Sequence, residues 1–152
     1  MTTLQQPGSI ERAIALADIN ATVHRYAYLA RDNLDWDSFA ETLRPEVRFH
    51  LPNGVTISST EWKQILQNEQ TKYIRHHLTT INIDFPKNGE AQASAQFLAL
   101  TDWSTCDHWG EWQFTLTPDG EKGWLISEMK ILLEGTDPKG WAASKYKHAE
   151  SE

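Results

Sequence analysis

The strongest constraint on this chain is a run of four long alternating segments in its second half, joined by connections too short to carry a helix. His76–Phe85 ends at Pro86-Lys87-Asn88-Gly89, and Ala91–Trp103 follows. His108–Thr117 ends at Pro118-Asp119-Gly120, and Trp124–Leu133 ends near Gly135. Parallel neighbours would need crossovers of a dozen residues or more, so the segments predict a mostly antiparallel sheet. The first half has a different period. Leu16, Ile19, Val23, Tyr26, Ala27 and Ala30 recur at helical spacing, with Ser9 as N-cap and Glu11 in the first turn. That helix breaks at Arg31-Asp32-Asn33. A second, capped by Asp35 or Asp37, buries Trp36, Phe39, Ala40 and Leu43 and ends at Pro45. Val47–Leu51 and Val55–Ile57 flank the turn Pro52-Asn53-Gly54, and Ser58, Ser59 or Thr60 caps a third helix carrying Trp62, Ile65 and Leu66. The class is α+β.

With 152 residues, including 7 Trp, 5 Phe and 4 Tyr, the chain can build one core without staples. It reads as a flexible N-terminus (1–8), one domain (9–135) and a polar tail (136–152), irregular apart from an anchoring Trp141. The single cysteine, Cys106, excludes an internal disulfide and fits a reducing compartment. As a nucleophile it would need a basic neighbour; its ordinary reading is packing. A net charge of −7 without a basic stripe argues against nucleic acid. No secretory leader and no apolar run of membrane length are visible, so a soluble, cytoplasmic protein without a membrane partner is expected. Adjacent strand residues such as His76 and His77 cannot both reach one ion, and there is no His-Glu-x-x-His pattern or cysteine pair. Neither a metal nor another cofactor is expected.

Two segments carry a family resemblance: Arg31-Asp32-Asn33-Leu34-Asp35-Trp36-Asp37-Ser38-Phe39 after the first helix, and Arg75-His76-His77-Leu78-Thr79-Thr80 after the third. In this order the chain resembles, over Ile10 to Leu133, the SnoaL-like branch of the nuclear transport factor 2-like superfamily, including polyketide cyclases and scytalone dehydratase. The resemblance implies a cone-shaped, curved sheet with three N-terminal helices enclosing an apolar pocket. It further implies a homodimer, a small-molecule substrate, and Asp32 beside His76 at the cavity wall as a catalytic proton-transfer pair. Such a pair is sound chemistry, because imidazole titrates near neutrality and a carboxylate on one ring nitrogen fixes its tautomer.

The facing of the two histidines is open. Counting by twos from Ile81, Ile83 and Phe85 puts His77 on the apolar face, whereas the family motif selects His76, which a register irregularity near the strand start would allow. Further candidate substrate contacts are Tyr26 on the first helix, Thr101 and Trp103 at the end of a strand rich in small residues, and Trp109 with Glu111 on the next. Thr101 stands where the lyases it resembles can place another His or Asp, and a hydroxyl cannot replace that base. The expected function is a cofactor-independent lyase, isomerase or cyclase acting by Asp–His proton transfer on a polyketide-like or other carbonyl compound. Its rival is a non-catalytic binding or assembly module of the same fold.

Overall fold

The computed structural model describes residues 8–68, 71–87 and 89–146. The expected flexible N-terminus, apart from Gly8, and the end of the tail lie outside the described residues. Helix α1 (Ser9–Leu29) starts at Ser9 itself, so its cap lies one residue before the predicted one. Gly8 is the N-cap, and its N–H donates to the Glu11 carboxylate at 3.0 Å. Helix α2 (Trp36–Ala40) is capped by Asp35, whose carboxylate accepts from the Ser38 N–H and hydroxyl. Strand β1 (Leu43–His50) and strand β2 (Thr56–Ser58) form the predicted hairpin. Pro45 therefore lies inside β1 rather than closing α2, where the β1–β6 ladder is interrupted between Leu43 and Arg48 and the missing N–H costs no bond. Helix α3 (Ser59–Gln67) is capped by Ser58, which exchanges hydrogen bonds with Glu61.

Four long strands follow: β3 (Ile74–Lys87), β4 (Glu90–Thr101), β5 (His108–Asp119) and β6 (Gly123–Thr136). They pair antiparallel in sequence order. β1 then adds to β6 in parallel, giving one six-stranded mixed sheet in the order β2-β1-β6-β5-β4-β3. The parallel pair is possible because the rest of the domain intervenes between β1 and β6, which provides the crossover. The tail is not wholly irregular: Trp141–Tyr146 forms a short helix, α4.

The inner face of the sheet supplies the core. Ala91, Ala93, Ala95, Phe97, Ala99 and Thr101 of β4 are buried, as are His108, Gly110, Trp112, Phe114 and Leu116 of β5. Helix α1 lays Ile19, Val23, Tyr26 and Ala27 on this face, and Tyr26 meets Phe39, Trp112 and Phe114 with ring centroids 4.8–5.7 Å apart. Fully burying an aromatic or large aliphatic side chain contributes about 1.5–3 kcal/mol, so this cluster dominates the stability of the fold.

Candidate functional site

At one end of the sheet the core leaves a cavity of about 60 Å³. Aromatic walls come from Tyr26 of α1, Trp62 of α3, Phe97 of β4, Trp112 of β5 and Trp141 of α4, and two imidazoles, His76 and His108, stand among them. The position of His76 follows from a bulge. β3 runs three residues from Leu78 to Ile81 while β4 runs two from Phe97 to Ala95. The extra residue reverses the side-chain phase, so His76 and Leu78 share the inner face with Ile81, Ile83 and Phe85. His77 consequently points to the other side.

Each histidine has one ring nitrogen committed. His76 Nδ1 lies 3.1 Å from the Ala30 carbonyl, which can only accept, so Nδ1 carries the proton and Nε2 keeps its lone pair. Burial, reinforced by the neighbouring His108 and His77, pushes the His76 pKa down to about 3 despite the Ala30 bond; the ring is neutral at physiological pH. His108 Nδ1 donates to Asp107 Oδ1 at 2.8 Å. Burial lowers the His108 pKa too, and the hydrogen bond and charge of Asp107 oppose it. The two rings meet edge to face, 6.2 Å between centroids.

Asp107 is fully buried and lies behind His108. Its carboxylate also accepts from Thr101 Oγ1 at 2.7 Å and from the Trp141 and Ala142 amides at 2.7 and 3.0 Å. Burial alone would raise its pKa. The Ala142 amide, the Thr101 hydroxyl, His108 and the Trp141 amide outweigh that effect and hold it below the usual carboxylate range. An ionised carboxylate with four donors is the arrangement that tolerates such burial.

The remaining predicted residues divide. Tyr26 lines the cavity. Thr101 is buried behind it as a donor to Asp107, also receiving the Trp103 and Ser104 amides. Asp32 is not joined to His76; Arg75 Nη1 donates to its carboxylate instead. Burial would raise the Asp32 pKa, but the bond and charge of Arg75 override it and keep the group below the ordinary carboxylate range. Trp103 is exposed in the loop after β4. Trp109 and Glu111 face away from the cavity, Glu111 accepting from Gln113 at 2.7 Å. Each face of β5 carries a Trp, so sequence alternation alone did not distinguish the inner set, His108, Gly110, Trp112 and Phe114, from the outer one. The Asp107–His108 dyad was missed for a related reason. Its two members are adjacent, and their side chains converge only because Asp107 precedes the strand that His108 begins. The Asp-His dipeptide at a strand start was the available signal. Among the described residues, no three His, Cys, Asp or Glu side chains come together to hold a metal ion, and no helix is long and apolar enough to cross a membrane.

The model of the SnoaL-like domain family matches residues 11–130, most of the chain, from α1 into β6. The chain belongs to the SnoaL-like domain family. Among curated protein sequences no relative matches. Solved structures similar to this SnoaL-like chain include the hexachlorocyclohexane dehydrochlorinase LinA-type3 of Novosphingobium barchaimii, at 11% identity over 86% of this chain and 93% of that one, TM-score 0.73. A protein of Novosphingobium aromaticivorans provisionally named a scytalone dehydratase aligns at 15% identity over 83% and 88%, TM-score 0.67. A Mycobacterium tuberculosis protein of unknown function aligns at 17% identity over 84% and 76%, TM-score 0.70. At such identities the likeness concerns the fold: a SnoaL-like domain of the nuclear transport factor 2-like superfamily.

Proposed function

We propose that this SnoaL-like domain is a cofactor-independent small-molecule lyase or isomerase that moves a proton with His108, backed by Asp107, on a carbonyl compound of secondary metabolism such as a polyketide. The observation that carries the reading is the pair of imidazoles in one aromatic cavity, each with Nδ1–H bound to an acceptor and the Nε2 lone pair left over. His108 Nε2 takes the proton from a carbon next to the carbonyl, and the C–H electron pair forms the enolate. Asp107 stabilises the resulting imidazolium. For dehydration, the same imidazolium returns its proton to the β-hydroxyl, which departs as water as the C=C bond forms. For isomerisation the imidazolium returns its proton to another carbon of the conjugated enolate. For ring closure the enolate carbon attacks a second carbonyl carbon, whose C=O π pair becomes an alkoxide that takes the proton from the imidazolium. His76, too weak a base to charge near neutrality, accepts a hydrogen bond from a substrate hydroxyl.

Trp62 supplies a further polar group. Its Nε1–H is buried without a hydrogen-bond partner, on a residue that lines the cavity. A substrate carbonyl oxygen satisfies it and gains a donor for the developing enolate charge. The naming of two similar structures as a dehydrochlorinase and a dehydratase, both eliminations, agrees with this chemistry. The proposed unit is a cytoplasmic homodimer through the outer sheet face, where Trp109 is 38% exposed.

The test is product analysis by mass spectrometry of metal-stripped protein incubated with a panel of β-hydroxy and β-halo carbonyl compounds. Loss of water or hydrogen halide, reduced by roughly two to four orders of magnitude in His108→Gln, is expected. Unchanged turnover in that variant rejects the assignment. Tight binding of panel compounds with no turnover would favour the non-catalytic reading instead.

A further inference from the structure

The cavity is only partly enclosed, yet its volume of about 60 Å³ is well below the several hundred Å³ usual for a site holding an organic molecule. One wall must therefore yield on binding. The sheet and α1 are the main core and cannot. Helix α4 is six residues long, and its Trp141 and Ala142 pack with Ile74 and Tyr146 in a small cluster separate from that core. What binds α4 to the domain most specifically is Asp107, through Oδ2 to the Trp141 amide and Oδ1 to the Ala142 amide. Oδ1 is also the oxygen that holds His108 Nδ1–H. The approach is close: a Cβ at Gly140 would lie 2.9 Å from Asp107 Cγ, so the helix can seat on the carboxylate only with glycine there.

We propose that Asp107 is a latch: one buried carboxylate holds α4 shut over the cavity and, through the oxygen shared between Ala142 and His108, couples closure to the orientation of the histidine. When α4 lifts to admit a ligand, Asp107 loses two backbone donors and turns toward water, and His108 is released to exchange between its two neutral tautomers. When α4 closes, the carboxylate is re-anchored, Nδ1–H is fixed, and Nε2 is presented to the cavity. Asp107 thus acts as a positioning residue through His108. This rests on the cavity being the active site proposed above, but its test needs no turnover.

The experiment is NMR of the full chain, reading amide exchange at Trp141 and Ala142 together with the ring-nitrogen shifts of ¹⁵N-labelled His108. In the unmodified protein both amides are protected and His108 shows a single Nδ1–H tautomer. In Gly140→Ala and Asp107→Asn, exchange at both amides should speed by about tenfold or more while the amides of β4 and β5 stay protected, and His108 should become a tautomer mixture. Amides as protected as in the unmodified protein overturn the latch. Faster exchange with His108 still in its single tautomer overturns the coupling. Should Asp107→Asn fail to fold, Gly140→Ala decides alone, because it leaves the carboxylate in place. A coupled shift in a protein that turns nothing over would reject the proposed reaction and keep the latch.

Discussion

At the scale of single residues, the site consists of polar groups whose protonation is set by what surrounds them. His76 binds no proton in the folded state until about pH 3, whereas in the unfolded chain it titrates near its ordinary value of 6.5. Between those values the unfolded state binds more protons, so stability is fully present above pH 6.5 and is lost as pH falls toward 3. His108, also lowered, acts in the same direction, and the lowered carboxyls of Asp107 and Asp32 add a loss only below the ordinary Asp value of 3.8. Urea unfolding at a series of pH values should show a decline on the order of a few kcal/mol across the histidine window. His76→Gln, which keeps a donor for Ala30 but cannot titrate, should flatten it; an unchanged slope would mean that His76 is not the buried neutral group described. Trp62→Phe removes the unpartnered N–H together with one ring of an indole that stacks on Phe49. It should cost about 1–3 kcal/mol of stability through lost packing, and lower kcat/KM by about tenfold or more for a carbonyl substrate in the fraction that stays folded. Equal kinetics would show that no substrate oxygen reaches Trp62.

At the scale of elements, two departures from regular strand geometry build the site. The β3 bulge turns His76 inward, and a bulge at Glu134 of β6, opposite Trp109 and Gly110, fits β6 against β5. Gly110 cannot be replaced there: a Cβ would stand 1.9 Å from the Leu132 carbonyl oxygen. Gly110→Ala should therefore destabilise the chain by about 1–3 kcal/mol in chemical denaturation, as the two strands are forced apart. A neutral substitution would contradict the register. These features mark where the sequence was legible. The α1 stripe, the Asp35 cap, the hairpin and the four long strands follow from period and turn chemistry, which are local. A bulge is one residue of mismatch between two separate strands, and nothing within His76–Phe85 alone shows it. The same holds for Asp32, whose partner Arg75 is brought to it only by tertiary packing, and for α4, which is short and depends on Asp107 for its N-terminal bonds.

At the scale of the whole molecule, the six-stranded sheet wraps its inner face around α1 and leaves a partly enclosed, aromatic space with two imidazoles in it. The order of elements made that cavity legible from sequence. The carboxylate that serves it was not, since Asp107 becomes significant only when loop 102–107, strand β5 and helix α4 meet. The outer face presents Trp109, and a homodimer across it should appear as twice the chain mass in light scattering, with Trp109→Glu reverting to the monomer; a monomeric unmodified chain would remove that part of the account.

The central claim is that the cavity abstracts a carbon-bound proton without a cofactor, and the most direct measurement of it is deuterium incorporation. Metal-stripped protein in D₂O, with the enolisable carbonyl compounds of the panel, should exchange the hydrogen next to the carbonyl, as followed by proton NMR. His108→Gln should suppress the exchange by roughly two orders of magnitude or more. No exchange with any of these compounds, or exchange undiminished in the variant, would contradict the account.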